Sequence, residues 1–447
     1  MSSQNPNIVH ADPAKGFFVL MLIKDITLRD AIGDLVDNAV DAIKAKTSNP
    51  NDLRGFQIDI KLGKTYFSID DNGYGMEAEI ARTTAFNFGK SHNHTLIDNS
   101  IGQFGIGMKR AFFKIGNNIQ VKSVAATSRF EIEINVSEWL EDPHKWEYEF
   151  KEGTLVENIK SVPSKTGFYV KINNLSKDAE ISFSDPTFID QLRKEIQYEH
   201  MLNINKGLKI VIEDYKLQAT AIDLVFDDKI KPSYWEKFGT EQCVKILAGI
   251  STKDDEDGGW YIFCNDRLII AKNKTEETVW TGNKGDGVPL WHAQYHRFRG
   301  YVFFEAKDSS NLPWNTTKTG MDLDSPYYKE VRQKMIMMTK QVMDLLNQLK
   351  AEKEKDNPEE AQTLNKAVET SLNNPIPVVQ ALSRSAELRT RFEYPIELFN
   401  PPKKKNSTSI SYQVSTEKFN KVKESLGLST AKEVGLQTFK YYIENEL

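Results

Sequence analysis

The sequence predicts an α+β protein, and three observations carry that prediction. A long amphipathic helix starts near Thr27, strands that alternate apolar and polar residues follow it, and glycine clusters break the pattern at 71–75 and 102–107. One helix followed by an alternating sheet, with helices gathered on one side, makes a two-layer α+β sandwich.

Bulk numbers set the frame. The chain has 447 residues, which allows two to four domains at about 100–200 residues each. With 39% hydrophobic and 27% charged residues it is an ordinary globular composition. A formal charge of −5 gives no chain-wide attraction to nucleic acid or anionic lipid. Two cysteines, Cys243 and Cys264, exclude a disulfide scaffold and fit a reducing compartment. The early apolar run FFVLMLI is too short to span a bilayer and lacks a basic stretch before it or a small-residue cleavage site after it. A cytoplasmic location without a membrane partner is expected.

Each element has its local reason. Thr27 and Asp30 have the spacing of a capping box, and Ile32, Leu35, Val36, Ala39 and Ile43 form the apolar stripe behind it. Pro50 stops that helix near residues 47–50. FQIDIKLGKTYFSIDDNGYGM reads as two strands running into a glycine turn. GQFGIGMKRAFFKIG is a glycine-rich helix start, and NIQVKSV, RFEIEINV and GFYVKINNL are further strands. A second mixed segment opens near Lys206, which places the domains at 1–205 and 206–324. Ser325-Pro326 then starts a long helix over 325–356. Its Val331, Met335, Met338, Val342, Leu345 and Leu349 keep a heptad seam, which either packs on its own domain or pairs with another chain as a coiled coil. Residues 357–405 read as a charged linker with one short helix near 376–390, and 406–447 as a separate strand–helix–helix module.

The chemistry lies in three clusters. Asp34 and Asn38 are four apart and share one helix face, which Asp41 continues. Acids inside an otherwise apolar helix form either a solvated stripe or a ligand face, because an unpaired buried charge costs several kcal/mol. Asp71-x-Gly73-x-Gly75 ends a strand, where the glycines allow close approach to a flat ligand and Asp71 can accept from an exocyclic amine. Gly102, Gly105 and Gly107 precede a helix, so free backbone N–H groups and the positive end of the helix dipole converge there, as phosphate requires. Thr84 stands where a P-loop ending in Gly89-Lys90-Ser91 needs its first glycine, and Arg110 where a dinucleotide fingerprint needs its third.

Taken in order, these motifs resemble the GHKL superfamily of gyrase B, the large heat-shock chaperone, histidine kinases and MutL, to which MORC ATPases also belong. The resemblance covers roughly residues 15–350. It implies a GHKL (Bergerat) α/β sandwich that binds ATP and Mg²⁺, followed by an α/β transducer domain. By that likeness Asn38 ligates Mg²⁺, Asp41 continues the ligand face, and Asp71 holds the adenine amine with Gly75 and Met76 beside the base and Gly73 in the same nucleotide-binding turn. Gly102, Gln103, Phe104, Gly105, Ile106 and Gly107 would cradle the phosphates, with Lys109 as an added charge. Residues 87–100, Lys90 among them, stand in the place of an ATP lid, and Thr166 resembles a family threonine near the adenine. FCNDRLI and NTTKTGMD resemble transducer motifs, the second supplying Lys318 to the γ-phosphate.

One departure matters. Asp34 stands where gyrase B, MutL and the chaperone have the glutamate that polarises the attacking water. Asp is shorter by one C–C bond, about 1.5 Å, and a 1 Å misplacement can cost about 10²-fold in rate. The helix sits closer, a water relays the proton, or hydrolysis is very slow; slow hydrolysis with Asp34 and Lys318 as catalytic residues is the expectation.

The last module resembles a ribbon–helix–helix domain, whose paired strands enter the DNA major groove. That likeness puts Ser411 and Gln413 toward base edges and Lys403, Lys404 and Lys405 toward phosphates, in a stretch (403–447) with eight lysines against five acids. The expectation is an ATP-dependent homodimer of MORC/MutL-like type acting on DNA, as in repair or phage defence. The alternatives are a chaperone-like ATPase with protein partners and a binding-only pseudo-ATPase.

Overall fold

The computed structural model describes residues 14–89, 100–102, 105–252, 256–283, 285, 288–353, 362–399, 401 and 410–446. It divides into a unit ending at Pro401 and a small C-terminal unit from Pro402 onward. The expected positions Lys90, Gln103, Phe104, Lys403, Lys404 and Lys405 lie outside the described residues.

Helix α1 (Lys15–Lys24) is followed by α2 (Leu28–Lys46), whose capping box forms in full: Thr27 Oγ1 accepts from the Asp30 N–H, and Asp30 Oδ2 accepts from the Thr27 N–H. The alternating stretches become β1 (Gln57–Gly63), β2 (Tyr66–Asp71), β3 (Gly116–Val124), β4 (Ser128–Asn135), β5 (Val156–Glu157) and β6 (Gly167–Leu175). Helix α3 (Gly107–Ile115) lies against α2 on one face of this sheet. In β1 the residues Ile58, Ile60 and Leu62 are buried under the helices, while Gln57, Asp59 and Lys61 lie on the opposite, half-open face.

The first sheet does not stop at residue 205. Strands β7 (Lys209–Ile212) and β8 (Tyr215–Lys216) join it, giving eight strands in the order β5-β4-β3-β6-β2-β1-β7-β8. β7 runs parallel to β1, with Ile58 facing Ile210 in register. Parallel pairing needs a long crossover, so local periodicity carries no trace of which sheet receives the strand. After the short β9 (Asp223–Leu224), a five-stranded sheet forms from β10 (Ser233–Phe238), β11 (Gln242–Ile250), β12 (Gly259–Cys264), β13 (Arg267–Asn273) and β14 (Phe298–Ala306), in the order β10-β11-β14-β12-β13.

Both faces of this second sheet are covered, which is why every residue of β12 is buried. The long helix α4 (Pro326–Lys353) packs on β11 and β14, and the whole heptad seam from Val331 to Leu349 is buried within the chain. Of the two alternatives for this seam, packing on its own chain is the one the described residues adopt. The opposite face, with Leu247, Phe263, Tyr301 and Phe303, is covered by Val378, Ala381 and Leu388. These come from the segment expected as a linker. Helix α5 (Thr363–Ser371) receives the buried Glu352 carboxylate at its start, β15 (Ile376–Pro377) pairs with β9, Arg389 bridges to Ser233 of the edge strand β10, and Glu393 bridges to Lys231 just before it. Its polar composition hides this role, because only a few apolar side chains do the covering.

In the C-terminal unit, α6 (Thr416–Leu426) ends at Gly427 with φ +66, and α7 (Ala431–Glu446) follows. Residues 410–414, the described part of the strand expected in this module, have no pairing partner among the described residues, and a strand needs a ladder. Among the described residues of the unit Val434 is the buried apolar one, while Ile410, Tyr412, Leu436, Phe439 and Tyr442 are exposed. No helix among the described residues is long and apolar enough to cross a membrane.

Candidate functional site

A cavity of about 580 Å³ opens between α2, the turn after β2 and the start of α3, a size suited to a drug-sized or nucleotide ligand. Asp34, Asn38, Asp41, Asp71, Gly75, Met76, Gly102, Gly105, Ile106, Gly107, Lys109 and Lys318 all line it. Sequence positions almost 300 residues apart, from Asp34 to Lys318, therefore meet at one site.

One end is built from backbone and carboxylates that make no ion pair with the described residues. Asp71 Oδ1 accepts from the Gly73 N–H at 2.8 Å, and burial pushes its carboxyl up to about 7, against the pull of that N–H. Gly75 has φ +77, and a Cβ there would stand 2.2 Å from the Val124 carbonyl oxygen, so no other residue fits this turn. Thr166 does not line the cavity. It is buried behind the turn, donating its hydroxyl to the Gly73 carbonyl at 2.8 Å. Met76 donates its N–H to Ser123 Oγ and presents its side chain to the cavity. Gly73 likewise supports the turn from outside the lining, packed on Ala42 of α2.

Asp41 turns its carboxylate onto backbone. Its oxygens accept from the N–H groups of Ile101 and Gly102, at 2.8–3.0 Å, so it positions the beginning of the glycine loop. Burial raises its carboxyl to about 6. Beyond the loop, α3 starts at Gly107 with no side chain capping it, which leaves its first-turn N–H groups open toward the cavity. Lys109 Nζ donates to the carbonyls of Ala85 and Gly105, and burial lowers its pKa to about 8. Asn38 lines the cavity between these parts, and its side-chain amide makes no hydrogen bond with the described residues.

The other end is dense with charge. Arg110 Nε donates to Asp34 Oδ2 at 2.5 Å, while Lys318 Nζ lies 3.2 Å from Asp34 Oδ1 and 2.6 Å from Asp37 Oδ2. Arg267 uses all three nitrogens: Nε on Asp37 Oδ1 at 2.9 Å, one terminal nitrogen on the Lys318 carbonyl at 3.1 Å, the other on Glu199 at 3.0 Å. His200 Nε2 lies 3.3 Å from the same Asp37 oxygen. Burial alone would raise the Asp37 carboxyl, but Arg267 and Lys318 outweigh it and hold it well below the usual carboxylate range. Burial would lower Lys318, and Asp37 and Asp34 instead hold it up.

Sequence reasoning missed three of these groups. Asp37 lay in the same acidic helix stretch, three residues after Asp34; Arg267 lay in the FCNDRLI strand; Arg110 was noted only as a missing glycine. The hairpin that carries Arg267 is itself fastened to the first sheet's domain. Lys44 and Lys206 both reach Asp266 (2.9 and 2.8 Å), and Asn265 donates to the Ser100 carbonyl.

Residues 26–166 match a family described as "Histidine kinase-, DNA gyrase B-, and HSP90-like ATPase". The chain is also similar to the DNA mismatch repair protein MutL of Aquifex pyrophilus, 22% identical over 282 residues, covering 58% of this chain and 60% of that relative. It thus spans less than two thirds of the relative's length.

Proposed function

We propose that this chain, a GHKL-superfamily ATPase of the MutL-like kind, binds Mg·ATP in the cavity, hydrolyses it slowly, and uses nucleotide state to control the pairing of two copies on DNA. The observation that carries this reading is the convergence of three separate motifs on one cavity, with a backbone-lined end and a cation-lined end. A purine with an exocyclic amine suits the first end and a polyphosphate the second.

Asn38 fits a magnesium ion, being a cavity-lining amide with no hydrogen bond to the described residues. No group of three or more His, Cys, Asp or Glu among the described residues offers a competing metal site. Mg²⁺ takes few protein ligands and completes its shell with water and phosphate; when bound it neutralises charge between the phosphates. Asp71 accepts the adenine amine. The first-turn amides of α3 and Lys109 receive phosphate oxygens. Lys318 exchanges Asp34 for the terminal phosphate, and the Oδ1 released by that exchange takes the proton of the attacking water. A short carboxylate already held by cations makes the step slow.

For the C-terminal unit, the support is its unsatisfied surface. Ile410, Tyr412 and Val414 are exposed on a segment without a strand partner, as is the α7 face with Leu436 and Phe439. A second copy supplies both the strand and the missing core, leaving Ser411 and Gln413 for base edges and Lys403–Lys405 for phosphates. One observation favours a binding-only reading instead: both oxygens of Asp34 are taken by cations.

Single-turnover phosphate release decides between these. Asp34→Asn is expected to lower it by about 10²–10⁴-fold with ATP affinity kept within a few-fold; no release from the unaltered chain selects the binding-only reading. In parallel, removing residues 402–447 is expected to abolish salt-dependent DNA binding.

A further inference from the structure

Three cations stand at the charged end of the cavity, and they differ in what is left over. Lys318 is spent on two carboxylates, and Arg267 has every nitrogen engaged. Arg110 is different. Its Nε is fixed on Asp34 Oδ2, and its two terminal nitrogens make no hydrogen bond with the described residues. The residue lines the cavity and is only 7% exposed. Its four terminal N–H donors are left for whatever enters the cavity. A guanidinium is planar, stays charged, and matches two phosphate oxygens at once.

Its origin fixes its aim. Arg110 follows Gly107 by one helical turn, and a Cβ on Gly107 would stand 3.2 Å from Asp34 Cγ. The start of α3 is thus pressed against Asp34, and a phosphate settling on the α3 amides comes within reach of the Arg110 terminal nitrogens.

We infer that Arg110 is a phosphate-contacting catalytic residue of the ATPase reaction, holding Asp34 through Nε and the terminal phosphate through its other two nitrogens. The inference rests on the nucleotide reading above. In the step, the water oxygen bonds to the γ-phosphorus while the bond from that phosphorus to the β–γ bridging oxygen breaks. The water proton goes to Asp34, and ADP departs carrying the bridging oxygen. Arg110 stabilises charge on the transferred group and keeps the short carboxylate turned toward the water. An arginine in that role is worth about 10³–10⁵-fold in phosphoryl transfer.

The test uses the full chain with Arg110→Met and Arg110→Lys, titrated with ADP and with a β,γ-imido ATP analogue, and assayed for single-turnover phosphate release. Arg110→Met is expected to bind ADP within about threefold of the unaltered chain, to lose about tenfold or more on the analogue, and to release phosphate at least about 10²-fold more slowly. Arg110→Lys should regain analogue affinity but not rate, since a point charge cannot serve carboxylate and phosphate together. An unchanged ADP-to-analogue ratio with unchanged turnover overturns the role of Arg110. Should Arg110→Met fail to fold, Arg110→Lys decides: full turnover overturns the inference and slowed turnover in a folded chain upholds it. An unaltered chain that binds neither nucleotide overturns the nucleotide reading itself, a result distinct from the first.

Discussion

The two ends of the cavity hold carboxylates under opposite conditions. Asp34 and Asp37 face Arg110, Arg267 and Lys318 directly. Asp41 and Asp71, one helix turn and one sheet strand away, are held by backbone N–H groups and have no cation within ion-pair distance among the described residues. Burial is nearly the same for all four, so the difference in partners sets their behaviour: Asp37 is held well below the usual range, while Asp41 and Asp71 rise to about 6 and about 7. An end that holds Asp37 ionised beside buried cations suits phosphate-transfer chemistry. An end whose acid sits near neutrality is sensitive to what donates a hydrogen bond to it.

The largest effect should come from breaking the charged end. Asp37→Ala leaves Arg267 and Lys318 buried without their shared partner, and loss of one member of a buried pair costs about 3–5 kcal/mol. The midpoint of chemical denaturation reads it. Adding Lys318→Met to Asp37→Ala should recover part of that loss, because it removes one orphan charge; strict additivity would contradict the coupling.

A smaller effect sharpens the other end. With Asp71 near 7 in the ligand-free chain, and the ionised carboxylate the stronger acceptor for an amine donor, affinity for ADP should fall as pH drops from 7.5 to 5.5. Asp71→Asn should remove the Asp71 part of that slope, seen as the difference between the two titration series. The stability of the ligand-free chain runs the other way. A native carboxyl raised above its unfolded value of about 3.9 holds a proton that the unfolded chain releases, so this contribution grows as pH falls from about 7 toward 4.

What the sequence discloses and what it conceals follow the range of the interactions. The α2 capping box, the glycine turn at 73–75 and the α3 start are set by neighbours within a few residues, and local pattern reveals them. Lys318 is legible through its likeness to a transducer loop, though its pairing with Asp34 and Asp37 is not. Asp37 with Arg267, Lys44 with Asp266 and β7 beside β1 join residues more than 140 apart, and no periodicity encodes such a meeting. The 362–399 segment reads as a linker for a related reason. It covers a sheet face with Val378, Ala381 and Leu388, too few and too irregularly spaced to form an amphipathic stripe.

The central claim is that a magnesium nucleotide occupies this cavity with Asn38 among its ligands. Calorimetric titration of Mg·ATP into the full chain and into Asn38→Ala tests it most directly. The account predicts a saturable heat for the unaltered chain that is weakened by more than about tenfold in Asn38→Ala, as loss of a metal or phosphate-site ligand commonly costs. Heat absent from both, or identical in both, would contradict it.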